Sequence, residues 1–215
     1  MTTHTIRQGE YLARIAQGYG FTDPDVIWNL PENQALKDAG RTPVTLAPGD
    51  DLFLPERTDR TLTRATEHRY KAKVKVSVVR LRVVLQTLGG KALANAPGTL
   101  RTAANDSKVT TDGKGLFEVI LIGATEAAEL RLADEGSAVR GIVIPLHIGH
   151  LDPVTTVSGQ EARLNNLGYR AGIGGDVSAL VFRSAVEEFQ CDEKLRVDGT
   201  CGPATQAKLG SVHGS

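Results

Sequence analysis

At 215 residues and 22.9 kDa, with 40% hydrophobic and 23% charged side chains, the chain has a globular composition that excludes a disordered tail or a fibre. Its 25 Lys and Arg balance 25 Asp and Glu, so no net field draws it to nucleic acid. The longest apolar run, near Leu116–Gly123, is too short to insert in a bilayer, and 23 glycines with 9 prolines point to several small units.

The opening residues, Met1 to Gly9, lack a basic stretch followed by an apolar one, which predicts synthesis in the cytoplasm without a signal peptide. Cys191 and Cys201 are too few for a disulfide framework; reduced thiols are expected, and a bridge across their short loop stays open in an oxidising compartment. Charge is uneven: residues 58–91 hold nine Lys and Arg against two Asp and Glu, while the flanking stretches are mildly acidic. The expected fold is multidomain α+β. A small β-α-α-β unit occupies 1–56, a linker 57–65, a central antiparallel β-sandwich 66–150 and a C-terminal three-helix bundle 151–215.

In the first unit, Leu12, Ile15, Ala16 and Tyr19 share one face of a short helix that ends at Gly20. Asp23-Pro24 opens a second helix, with Asp23 as its N-cap and Pro24 in its first turn, whose buried face is Val26, Ile27 and Leu30. An extended piece at His4–Arg7 precedes them, and a turn at Pro48-Gly49 leads into a strand at Leu52–Leu54. The residues Gln8-Gly9-Glu10-Tyr11-Leu12, Ile15-Ala16, Asn29-Leu30-Pro31-Glu32-Asn33 and Leu46-Ala47-Pro48-Gly49-Asp50-Asp51-Leu52-Phe53-Leu54-Pro55 resemble a LysM domain. The chain departs from that pattern in having Glu10-Tyr11 for Asp-Thr and a longer segment at Gln34–Thr45. The resemblance implies N-acetylglucosamine-chain binding, with Gly9, Glu10, Tyr11, Asn29, Leu30 and Asn33 as contacts.

The second unit opens on period-2 alternation through Lys71, Lys73 and Lys75 against Ala72, Val74, Val76 and Val78. The parity then flips to Val79, Leu81, Val83 and Leu85, which requires a bulge or turn near Val78-Val79. The basic residues are read as the solvated face of a strand. Further strands are predicted at Gly98–Thr102, Lys108–Thr111, Leu116–Ile122, Glu129–Ala133 and Val139–Leu146, with turns at Asp112-Gly113 and Asp134-Glu135-Gly136. The stretches Gly89–Leu100 and Thr110–Val119 resemble carboxypeptidase-regulatory-like modules of immunoglobulin type, which implies a spacer or docking domain without chemistry.

In the third unit, Ser158-x-x-Glu161 reads as a capping box ahead of Leu164 and Leu167. Ser178 is a candidate cap for a helix burying Val181, Phe182, Ala185, Val186 and Phe189, and Gly202-Pro203 opens a third helix ending at Leu209. The segments Leu164–Tyr169, Ala185–Gln190 and Leu195–Leu209 resemble the peptidoglycan-binding three-helix domain, except that Gly174–Ser178 stands where that family has an Asp-Gly turn. The resemblance implies a cleft at the Asp198-Gly199 and Gly202-Pro203 bends. Tyr169, Asp198, Gly199 and Thr205 are the candidate contacts, with core packing as the competing role of Tyr169 and Phe189.

No reactive constellation is present: there is no Gly-x-Ser-x-Gly elbow, no His-Glu-x-x-His helix and no phosphate loop. His147 and His150 are expected on opposite faces of a strand, and the adjacent Glu187 and Glu188 cannot converge on one glycosidic bond. The expectation is therefore a non-enzymatic protein that needs no cofactor or metal and binds peptidoglycan or N-acetylglucosamine-containing glycans, without nucleic acid or membrane insertion. Residues 31–36, 46–50 and 148–159, with the sandwich, resemble small LysM proteins encoded beside type VI secretion and other contractile-injection spike proteins. That resemblance implies action in the periplasm, the envelope or outside after injection-type delivery. The competing reading is an adaptor of the machine that binds a spike or baseplate protein.

Overall fold

The computed structural model describes residues 2–57, 63–71, 78–87, 89–122, 124–132, 141–172 and 179–215. They form a mixed α/β protein with several antiparallel sheets and a C-terminal helical region. The N-terminal part runs β1 (Thr2–Thr5), α1 (Leu12–Gly18), α2 (Asp25–Trp28), a 3₁₀ turn (Pro31–Asn33), α3 (Gln34–Asp38) and β2 (Asp51–Leu54). β1 and β2 pair antiparallel from Thr2 opposite Leu54 to Thr5 opposite Asp51. Ile6, Leu12, Ile15, Ala16, Ile27, Leu36, Leu46, Leu52 and Leu54 make its core. Three expectations are corrected here. Tyr19 and Val26 are exposed, Pro24 occupies the cap position with Asp23 accepting from the Asp25 amide at 3.1 Å, and α3 fills a stretch read as connection.

The middle part holds β3 (Val78–Val84), β4 (Pro97–Thr102), β5 (Asp106–Thr110), β6 (Leu116–Ile122), β7 (Ala127–Leu132) and β8 (Val143–His147). β3 pairs with β6, and a second sheet has the order β5-β4-β7-β8. Both sheets feed one apolar cluster. Leu85, Phe117 and Leu121, with the partly buried Val79, Leu81 and Val83, meet Leu100, Val109, Ala128, Leu130 and Leu132 there. The odd-numbered face of β3 thus turns inward as alternation requires. Its outer face carries Arg80 and Arg82, which pair with Glu118 on β6 at 3.1 and 2.7 Å. The Lys71–Val78 alternation and the Asp134–Gly136 turn lie mostly or wholly outside the described residues.

The C-terminal part holds α4 (Val157–Asn166), α5 (Ala179–Asp192) and α6 (Pro203–His213) around Leu164, Ala171, Ala185, Val186, Phe189 and Leu209. The cap of α4 is Thr156, whose Oγ1 accepts from the Gly159 amide at 3.1 Å; Ser158 was the expected cap. Ser158 Oγ instead donates to Asp152 at 2.6 Å, and Asp152 also receives Gln8 Nε2 at 3.1 Å. Gly159 explains how closely α4 approaches this junction, because a Cβ there would lie 2.1 Å from the Pro153 carbonyl oxygen. Beneath it, the buried Arg163 donates through Nη1 to the carbonyls of Asp152 and Gly159 at 2.7 and 2.8 Å. α6 continues past the expected end at Leu209. Ser178 lies outside the described residues, as does the departure at Gly174–Ser178.

His213, at the end of α6, faces this junction. Burial first, and the Arg163 charge second, pull its imidazole down to about 4. Nε2 is 3.1 Å from Asn166 Nδ2, which can only donate, so the proton sits on Nδ1, 2.7 Å from Ser215 Oγ. The unfolded chain takes up a proton near the ordinary value of 6.5, before the folded one does. Stability from neutral His213 is therefore full above that value and is lost as pH falls from about 6.5 to about 4. Urea midpoints at pH 7 and pH 4.5 should separate more for the parent than for His213→Gln; an equal separation would remove His213 from the acid response.

Candidate functional site: the C-terminal concavity

Three of the contacts expected in the N-terminal part, Gly9, Tyr11 and Asn33, are turned inward. Tyr11 is 1% exposed and inserts its ring into the cluster between the two middle sheets, where its hydroxyl donates to the Thr125 carbonyl at 3.0 Å. Burial pushes that phenol above its usual range. Gly149, at φ +82°, lies against the ring; a Cβ there would come within 2.3 Å of Tyr11 Cδ1. Gly9, also at φ +82°, is covered by the His150 ring, 2.7 Å from where its Cβ would be. Arg14 completes the contact with an ion pair to Glu126 at 2.6 Å and a hydrogen bond to the Gly9 carbonyl at 3.1 Å.

Glu10 accepts from the Arg7 amide at 2.8 Å and contacts His4 Nε2 at 2.7 Å. Burial opposes ionisation of this carboxyl, but these hydrogen bonds hold it below the usual range. Asn33 is fully buried: Nδ2 donates to the carbonyls of Ile27 and Phe53 at 2.9 Å each, and Oδ1 accepts the Phe53 amide at 2.8 Å. Asn29 stays exposed and receives Lys37 Nζ at 3.3 Å, and Leu30 is half-buried. Tyr11, Asn33 and Gly9 are thus structural, which corrects their expected role as ligand contacts. Nor do His147 and His150 face apart. β8 stops at His147, the chain turns at Gly149, and the two rings meet edge to face at 5.5 Å.

In the C-terminal part, three of the candidate residues converge on a side chain that pattern reading passed over. Gln190 is 1% exposed, and its Nε2 donates to Asp198 Oδ1, the Thr200 carbonyl and Thr205 Oγ1 at 3.0, 3.1 and 3.0 Å. Its Oε1 accepts the amides of Asp198 and Gly199 at 3.0 Å each. The hydrogen bond from Gln190, with one from the Thr200 amide, keeps the Asp198 carboxyl below its usual range. Thr205 is buried, and the Gly199 turn is overlaid by the Arg183–Glu187 ion pair of α5, with Arg183 Cγ 2.6 Å from the place of a Cβ. The expected cleft at these bends is therefore filled by the protein's own side chains. The only signal for it in the sequence is a polar residue at the end of an apolar helix face, next to Phe189.

Tyr169 packs edge to face on Phe189 at 5.6 Å and donates its hydroxyl to Asp192 at 3.0 Å. Burial, then the Asp192 contact, pushes its phenol up to about 12. Cys201 is likewise raised, to about 11, by burial, and both cysteines are free thiols.

The open surface lies on the other side of α5. Gly168 and Arg170, just after α4, face Val181, Ser184, Ala185 and Glu188 across a concavity of about 390 Å³. Positions 181, 184, 185 and 188 recur at helical spacing, so one stripe of α5 forms the wall. It offers a guanidinium, a carboxylate, a hydroxyl and an apolar floor, a combination suited to polar ligands with small apolar groups. Among the described residues no group of His, Cys, Asp and Glu is placed to hold a metal ion, and no helix is long and apolar enough to cross a membrane.

Comparison with curated proteins and with solved structures gives no match. Residues 157–209, which contain the concavity and the Gln190 network, match the family model described as a putative peptidoglycan binding domain.

Proposed function

We propose that the protein is a non-catalytic binder of peptidoglycan that acts at the cell wall through its C-terminal helical region. The observation that carries this reading is the open concavity within the matched stretch, 157–209. The N-terminal part keeps the LysM-like closing motif, Leu46 to Pro55, but spends its opening loop on the middle part, so glycan retention is assigned to the helices alone. The middle part, with its immunoglobulin-like resemblance, serves as the spacer to which that loop is fixed.

Purified full-length protein should sediment with insoluble peptidoglycan and stay soluble with cellulose. Equal sedimentation with both, or with neither, would defeat the reading. Delivery by a contractile injection system accounts for how such a protein reaches a wall, and a spike fusion or co-secretion assay tests it.

A second reading has an observation of its own. The Gly9-Glu10-Tyr11 loop already grips protein, through Tyr11 and Arg14. This supports a structural adaptor whose modules dock on a spike or baseplate component. Stable co-purification with such a component, without sedimentation on wall material, is its expected outcome.

A further inference from the structure

We infer that the concavity recognises the peptide stem of the wall polymer, through a residue that carries both a carboxylate and an ammonium, and does not grip the sugar chain. This rests on the wall-binding reading above and specifies which part of the polymer is held.

Arg170 and Glu188 line the same concavity, and among the described residues neither forms an ion pair. Both are exposed, on rigid supports: Arg170 directly precedes the fully buried Ala171, and Glu188 directly precedes the fully buried Phe189. Two opposite charges held over one hollow without neutralising each other suit a ligand with the complementary pair. A carboxylate meets the guanidinium in a charge-assisted, two-pronged contact, and an ammonium meets the Glu188 carboxylate. Ser184, one helical turn before Glu188, adds a hydroxyl for a peptide amide, and Val181 and Ala185 form a floor the size of alanine methyl groups.

The alternative, a sugar ring, is poorly served. Sugar faces are held best by flat aromatic rings, and among the described residues no aromatic side chain lines the hollow. The candidate rings nearby are otherwise used: Tyr169 and Phe189 pack on each other, and Phe182 packs against the helical core. In peptidoglycan the zwitterionic group is the diamino acid of the stem, whereas the glycan strand carries no ammonium.

The test uses the full chain and two preparations of peptidoglycan coupled to beads through the glycan strands, since the polymer dissolves once its cross-linking stems are gone: intact, and stripped of its stems by an amidase that leaves the glycan strands whole. Retention on the stripped material should fall at least about fivefold. Arg170→Ala and Glu188→Gln should each weaken retention on intact material by about fivefold, the scale of a partly screened charge contact, with thermal unfolding unchanged. Titration with L-alanyl-γ-D-glutamyl-diaminopimelate should compete, and chitotetraose should not.

Equal retention on stripped and intact material, or both variants behaving as the parent, would overturn the stem assignment while leaving wall binding in place. No retention on intact peptidoglycan would take both down.

Discussion

Tyr11→Ala should lower the unfolding free energy of the N-terminal and middle parts by about 3–5 kcal/mol, the range for deleting a buried aromatic ring, while leaving retention on peptidoglycan unaltered. The ring is 1% exposed and belongs to the apolar cluster that also holds Leu100, Leu130 and Ile148, and so dense a cluster cannot close over the vacated volume without shifting its members. The loss also leaves the Thr125 carbonyl without its hydroxyl donor. Tyr11→Phe isolates that part and should cost only about 1 kcal/mol. Denaturant unfolding of the three proteins, followed by circular dichroism, reads the series. A Tyr11→Ala chain that unfolds like the parent yet no longer sediments with peptidoglycan would mean that the ring works at a ligand and not inside the core.

Gln190→Leu is the second large effect. The replacement is close in size and apolar, so packing beside Phe189 is kept while all five hydrogen bonds of the amide vanish. The amides of Asp198 and Gly199 and the Thr200 carbonyl lose their side-chain partner in a turn whose Asp198 and Thr200 are exposed, so water takes up part of the loss and each bond is worth about 0.5–1.5 kcal/mol. A total near 3 kcal/mol is expected, together with faster amide exchange confined to residues 198–205. Thr205→Val removes one of the five contacts and should fall well short of that. Retained protection of the Asp198 and Gly199 amides in Gln190→Leu would show that the bend holds itself, without the glutamine.

Much of the architecture was readable because it follows from spacing. The strand at Leu116–Ile122 coincides with β6, the inward face of β3 follows the odd positions, and α5 buries Ala185, Val186 and Phe189 as its periodicity demands, while Val181, expected on the same buried face, is exposed. What could not be read depends on contacts distant in sequence. Thr156 and Ser158 are equally good caps by type, and the choice falls to Thr156 because Asp152 engages the Ser158 hydroxyl. α3 buries one apolar residue, Leu36, too few to make a periodicity.

The candidate site follows the same division. Tyr169, Asp198 and Thr205 lie within the matched stretch, yet the hollow is lined by their neighbours Gly168, Arg170, Ser184 and Glu188. Charged and hydroxylated residues on an exposed helix face carry no periodic signal that separates a binding wall from a solvated one. Only the fold shows that Arg170 stands across from α5. Tyr11 misleads for the converse reason, since an aromatic ring in a loop looks equally fit for a sugar or for a foreign core.

The close approach of Gly149 to the Tyr11 ring ties together two positions in distant parts of the chain. A bulky aromatic at the first is compatible only with glycine at the second, both for room and for the positive φ. Chains of the same build can therefore be sorted by inspection. Those with the aromatic–glycine couple should carry a clamped amino-terminal module, and those with a small residue at the first position and any side chain at the second should carry one that swings free.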